Sequence, residues 1–140
     1  MKKINKANEC RSGKLKQEAI EQVNYNRSKP KISLEFLQGK YCVSKCQKHE
    51  KAQIIDTLHK ISQHTWQEII QEGKYGFGYE QIEVSQLKCA LPQNTIFDNL
   101  DKVTVFHNTP KIPIIGFRIQ DTYYIFCIDR NYKAYNHGGS

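Results

Sequence analysis

Apolar Ile32, Leu34 and Phe36 alternate with polar Lys31, Ser33 and Glu35, a period of two that predicts a half-buried strand. After Gly39 the period lengthens. Ile54, Ile55, Leu58 and Ile61 recur at helical spacing and predict a helix over residues 48–62 with one buried stripe. Thr65-Trp66-Gln67-Glu68 then reads as a capping box, in which hydroxyl and carboxylate each satisfy an otherwise orphaned backbone N–H. Gly73 supplies the stop of this second helix, and Trp66, Ile69 and Ile70 are expected to face the core. Strands follow at residues 79–84, 103–107, 114–119, 122–129 and 132–137, with a long polar connection over 86–101 that holds Pro92. No internal repeat or low-complexity tract interrupts them.

This order predicts an α+β fold, with two helices packed on one face of a mainly antiparallel sheet and the other face left free for work. Residues 31–140 form one domain, and residues 1–30 a basic N-terminal arm whose 15–23 stretch has weak helical character. Residues 24–30 have linker chemistry.

Pleat parity then sorts the side chains of the last strands. A two-residue turn at Gln120-Asp121 sets Phe117 opposite Tyr124, Arg118 opposite Tyr123 and Ile115 opposite Phe126. Ile115, Phe117, Ile119, Tyr124, Phe126 and Ile128 fall on the core side. For the next hairpin, a three-residue loop at Arg130-Asn131-Tyr132 places Ala134 beside the core. A two-residue loop would bury Lys133, and an unpaired buried ammonium costs on the order of several kcal/mol. The free face therefore collects Arg118, Tyr123, Lys133, Tyr135 and His137.

Charge sharpens the picture. The net charge is +7, and residues 1–30 carry eight Lys or Arg against three Glu, so most of the surplus sits in the arm. Lys2, Lys3, Lys6, Arg11, Lys14 and Lys16, with Arg130 further on, are the expected nucleic-acid contacts. No run approaches the roughly 18 apolar residues of a membrane span, and no apolar export segment follows the basic start. The expected location is the cytoplasm, where the five cysteines would stay reduced.

The collected groups are those that cut RNA without a metal. Attack by a ribose 2′-OH on its neighbouring phosphate needs a base, an acid for the departing 5′-oxygen and fixed positive charge for the phosphorane oxygens. His137 titrates near neutrality, Tyr135 and Tyr123 orient or donate, Arg118 offers a planar fork, and Lys133 a point charge. His107, at a strand end, is a second-rank candidate. Cys42-x3-Cys46-x2-His49 has a spacing that zinc tolerates but only three local ligands, so neither metal nor cofactor is expected. Cys127 reads as an apolar filler and His59 and His64 as structural or solvated. The alternative to an enzyme is a non-catalytic nucleic-acid- or protein-binding module that works through the arm and the exposed sheet.

The segments "GFRIQDTYYIFCID" and "YKAYNHG", together with the order of elements over 31–138, resemble the RelE/ParE-like toxin superfamily of toxin–antitoxin systems. The resemblance implies a small RelE-like sheet that enters the ribosome and cleaves messenger RNA, silenced by an antitoxin protein. It also implies that Arg118 binds phosphate while Tyr135 and His137 take the acid–base places.

Overall fold

The computed structural model describes residues 25–107 and 112–135. The elements in chain order are β1 (Lys31–Ser33), α1 (Lys48–Ser62), α2 (Trp66–Gly76), β2 (Tyr79–Glu83), β3 (Lys102–His107), β4 (Pro113–Ile119) and β5 (Thr122–Ile128). They form an α+β fold with a mixed five-stranded sheet of order β1-β5-β4-β3-β2, in which β1 runs parallel to β5 and the other pairs are antiparallel. Among the described residues no helix is long and apolar enough to cross a membrane.

Local chemistry sets the helix ends. The Gln47 N–H donates to Glu50 at 2.7 Å and starts α1. At α2 the Thr65 N–H donates to Glu68 at 2.9 Å, and the Glu68 N–H donates to the Thr65 hydroxyl at 3.1 Å, completing the expected box. Gly73 breaks the helical dihedrals at φ 64°, a left-handed conformation that a side chain resists. The remaining N–H groups of the first turn are met from outside the helix. Trp66 and Gln67 donate to the carbonyls of Ser28 and Asn26, so residues 26–30 dock on α2 instead of acting as a linker.

Both helices pack on one face of the sheet. Ile54, Leu58, Ile61, Trp66 and Ile69 enclose a core with Phe106, Ile114, Tyr123 and Ile125. Ile55 and Ile70, expected to join this stripe, are exposed, because each sits at the outer edge of an apolar arc wider than the contact.

The opposite face is not free. Phe97 and Leu100 from the long 84–101 connection, Phe36 from the segment after β1, and Tyr135 cover Ile82, Val105, Ile115, Phe117 and Phe126. Phe97 sits edge-on at 5.1 Å from Phe117 and 5.5 Å from Phe126, and Phe36 packs 5.4 Å from Phe97. The polar composition of that connection hides apolar anchors, Phe97 and Leu100 among them, that close a second core.

The β4–β5 turn follows the expected register, with Ile119 opposite Thr122, Arg118 opposite Tyr123 and Phe117 opposite Tyr124. Beyond it a β-bulge intervenes. Gly116 pairs with Ile125 but Ile115 pairs with Cys127, so Phe126 is the extra residue and Ile128 passes to the helix side. The bulge makes room for the Tyr123 ring. A Cβ on Gly116 would lie 2.9 Å from that ring and 2.3 Å from the Tyr124 carbonyl oxygen.

The hairpin expected over 132–137 does not form within the described residues. Asp129 accepts the N–H groups of Lys133 at 2.8 Å and Ala134 at 2.9 Å, and Tyr132 adopts φ 61°. These contacts turn the chain off β5, and Tyr135 instead bridges to Leu87 in the long connection. β1 takes the outer edge of β5 over Thr122–Tyr124.

Candidate functional site

Glu80 leaves β2 with the parity of Ile82, toward the second core. A carboxylate on such a position requires partners, and His107 and Tyr135 are among them. Its Oε2 lies 2.7 Å from His107 Nε2 at the end of β3, and it accepts the Tyr135 hydroxyl at 3.0 Å. The same hydroxyl oxygen is 3.1 Å from His107 Nε2. Three separate segments thus bring an imidazole, a carboxylate and a phenol to one point. Gly78 permits the approach. At φ 68° it receives the His107 N–H at 3.1 Å, and a Cβ there would come within 2.5 Å of the His107 carbonyl oxygen.

The single phenolic proton goes to Glu80, so the Nε2–H of His107 is shared between the carboxylate and the phenol oxygen. With Nε2–H as the donor, Glu80 fixes the tautomer and the orientation of the His107 ring. Burial raises the Tyr135 pKa above the ordinary phenol value, and the hydrogen bond and charge of Glu80 raise it further. Tyr135 therefore remains a donor at neutral pH. The His107 and Glu80 side chains keep 19% and 27% of their surface exposed, so the cluster is reachable from solvent. Exposed Lys88 and Lys133 flank Tyr135 in the fold, for the Lys88 N–H donates to the carbonyl of Ala134.

The expected constellation is divided by this arrangement. Arg118 and Tyr123 do share a face, but it is the helix face, and Tyr123 is fully buried. Its hydroxyl donates to the carbonyls of Thr104 at 2.8 Å and Ile114 at 3.0 Å, and burial holds its pKa well above the ordinary value. Tyr123 is a core residue that closes the β-bulge. Tyr135 lies against the second core, across the sheet from Arg118. Lys133 is exposed, with its N–H held by Asp129.

Arg118 lies at the β4–β5 turn, five residues along β4 from Pro113, the partner of His107. At about 3.4 Å per residue this is a separation of roughly 17 Å, on the opposite face. The Arg118 guanidinium stacks 4.4 Å from the Trp66 ring and donates from Nε to the Gln120 carbonyl at 2.6 Å. Burial draws its pKa down, against the charges of Tyr79 and Asp121. Arg130, expected to meet nucleic acid, donates to Glu50 at 2.8 Å. His137 and the arm residues Lys2, Lys3, Lys6, Arg11, Lys14 and Lys16 lie outside the described residues. Cys46 is buried in the helix-side core, and among the described residues no three His, Cys, Asp or Glu side chains converge as a metal site would require.

Sequence reasoning ranked His107 second and missed Glu80. The available signal was parity: Glu80 and Ile82 point the same way, and an acidic residue on a core-facing position announces a buried partner. No family model matches the chain, and no curated protein and no solved structure matches it.

Proposed function

We propose that this protein is an endoribonuclease toxin that cleaves messenger RNA without a metal, on a RelE-like sheet, with its acid–base centre at His107, Glu80 and Tyr135. The observation that carries the reading is the one Glu80 oxygen that holds both an imidazole and a phenol within 3.0 Å at a solvent-reachable end of the sheet. In this reading His107 accepts the 2′-OH proton as that oxygen attacks the adjacent phosphorus. The bond to the 5′-oxygen breaks, a 2′,3′-cyclic phosphate forms, and the leaving oxygen takes its proton from a second acid or from water. Glu80 orients the ring, Tyr135 positions Glu80, and Lys88 and Lys133 supply positive charge beside the site. The order of one strand, two helices and then antiparallel strands supports the family resemblance, and the net charge of +7 supports an RNA substrate.

The test is expression in a bacterium and incubation of the purified chain with RNA in the presence of a chelator. Wild type is expected to slow growth and to leave cyclic-phosphate ends. His107→Ala should lower the cleavage rate by about 10²–10⁴-fold, the usual loss for a general base, without loss of the folded state. Glu80→Gln should impair cleavage and alter its pH profile. The reading fails if wild type neither arrests growth nor cuts RNA, or if folded His107→Ala retains full activity.

A further inference from the structure

Two cysteines of the second core take no part in the chemistry described above. Cys127 stands on β5 opposite Ile115, and Cys89 belongs to the long connection, remote from it in sequence. Both are free thiols, and they touch: the Cys127 S–H donates to the Cys89 sulfur. Apolar fillers have no need to meet one another, whereas two sulfurs brought together from separate segments are what an S–S bond of about 2.05 Å requires. The two thiols are not equivalent. Cys89 keeps 7% of its surface exposed and Cys127 none. The hydrogen bond from Cys127 draws the Cys89 pKa below the ordinary thiol value, against burial, while the same bond and then burial push that of Cys127 up. The Asp129 carboxylate and the Tyr41 phenol also face the pair, and the Asp129 charge opposes ionisation of both thiols. Cys89 is therefore the thiol that ionises and meets a solute first, and Cys127 the one placed to resolve it. Leu87 bridges to Tyr135 and the Lys88 N–H donates to the Ala134 carbonyl at 2.6 Å, so Cys89 follows directly on a stretch already tied to the chain beyond β5.

We propose that Cys89 and Cys127 are a modification site, a pair that a peroxide converts into a reversible disulfide clipping the 84–101 connection to β5. The Cys89 thiolate attacks one peroxide oxygen, the O–O bond breaks, the hydroxide that leaves is protonated to water, and Cys89 becomes a sulfenic acid. The Cys127 sulfur then attacks the Cys89 sulfur, the S–O bond breaks, and the oxygen leaves with the Cys127 proton as a second water. Two thiols lose two electrons, and one peroxide becomes two waters. A dithiol reductant reverses the step. The site stands whether or not the His107 centre is catalytic.

The full chain, folded and fully reduced, is exposed to hydrogen peroxide, its remaining thiols are alkylated, and it is digested with trypsin without reduction. Mass spectrometry should find peptides 89–102 and 119–130 joined through Cys89 and Cys127, and separate after dithiothreitol. Closing this loop constrains the unfolded chain, so Tm should rise by roughly 5–15 °C on oxidation and return on reduction. In Cys127→Ala the sulfenic acid has no resolving thiol, and dimedone should label Cys89. In Cys89→Ala, Cys127 should stay a thiol over the same exposure; this variant tests the pair even if Cys127→Ala fails to fold, and circular dichroism confirms the folded state of each. The proposal is overturned if folded wild type keeps both thiols, if Cys89 and Cys127 join other cysteines instead of each other, if dimedone labels Cys127 ahead of Cys89, or if the joined peptides form with no rise in Tm.

Discussion

Tyr123→Phe separates a structural phenol from a catalytic one. The ring is wholly buried among Trp66, Phe106 and Ile125, and its hydroxyl sits between β3 and β4, 2.8 and 3.0 Å from two main-chain carbonyls. Phenylalanine keeps the ring and its packing but withdraws the one proton those carbonyls share. Water cannot replace it without opening the core. A buried acceptor left without its donor costs about 1–3 kcal/mol, and a hydroxyl shared by two acceptors belongs near the middle of that span. For a domain of this size about 2 kcal/mol lowers Tm by roughly 8–12 °C. Urea denaturation followed by circular dichroism, with Trp66 fluorescence as a second probe, measures the loss. RNA cleavage by the folded variant, assayed well below its Tm, should match wild type. A change in stability under about 0.5 kcal/mol, the scatter of ordinary surface substitutions, would refute the assigned hydrogen bonds. A folded variant that no longer cleaves RNA would refute the placement of Tyr123 outside the chemistry.

Gly116→Ala places a methyl group 2.3 Å from the Tyr124 carbonyl oxygen and 2.9 Å from the Tyr123 ring, so overpacking should cost about 1–3 kcal/mol or more, read as a lower urea midpoint; wild-type stability would show that the bulge relaxes freely. Glu50→Gln addresses acid sensitivity. The Gln47 N–H, and after it the Arg130 guanidinium, hold the Glu50 carboxyl below its usual range. A depressed carboxyl contributes stability above its unfolded pKa of about 4.3 and loses it as the pH falls through the folded value. The variant should therefore be less stable than wild type at pH 7, with the gap closing below pH about 4; a gap that stays constant on acidification would contradict the assigned cause.

The local signals in this chain read well because they depend on neighbours in sequence. The Thr65–Glu68 box, the break at Gly73 and the two-residue turn that pairs Ile119 with Thr122 need only a few consecutive residues. The pairing of Arg118 with Tyr123 followed from that turn by parity alone. Parity says which residues share a side; it does not say what lies above that side. The helices cover the face assigned to solvent, and the long connection covers the other.

The sequence by itself determined the two helices with the capping box of the second, the antiparallel β4–β5 pair, the basic charge and the α+β class. These follow from periodicity and short-range hydrogen bonding, which act within a turn or across one hairpin. Only the tertiary structure decided that Tyr123 is buried, that Arg118 stacks on Trp66 at one end of the sheet, and that Tyr135 joins Glu80 and His107 at the other. Glu80 and Tyr135 are separated by 55 residues. What brings them together is the burial of Phe97, Leu100 and Phe36 over a sheet face, and that long-range apolar contact leaves no periodic trace in the chain.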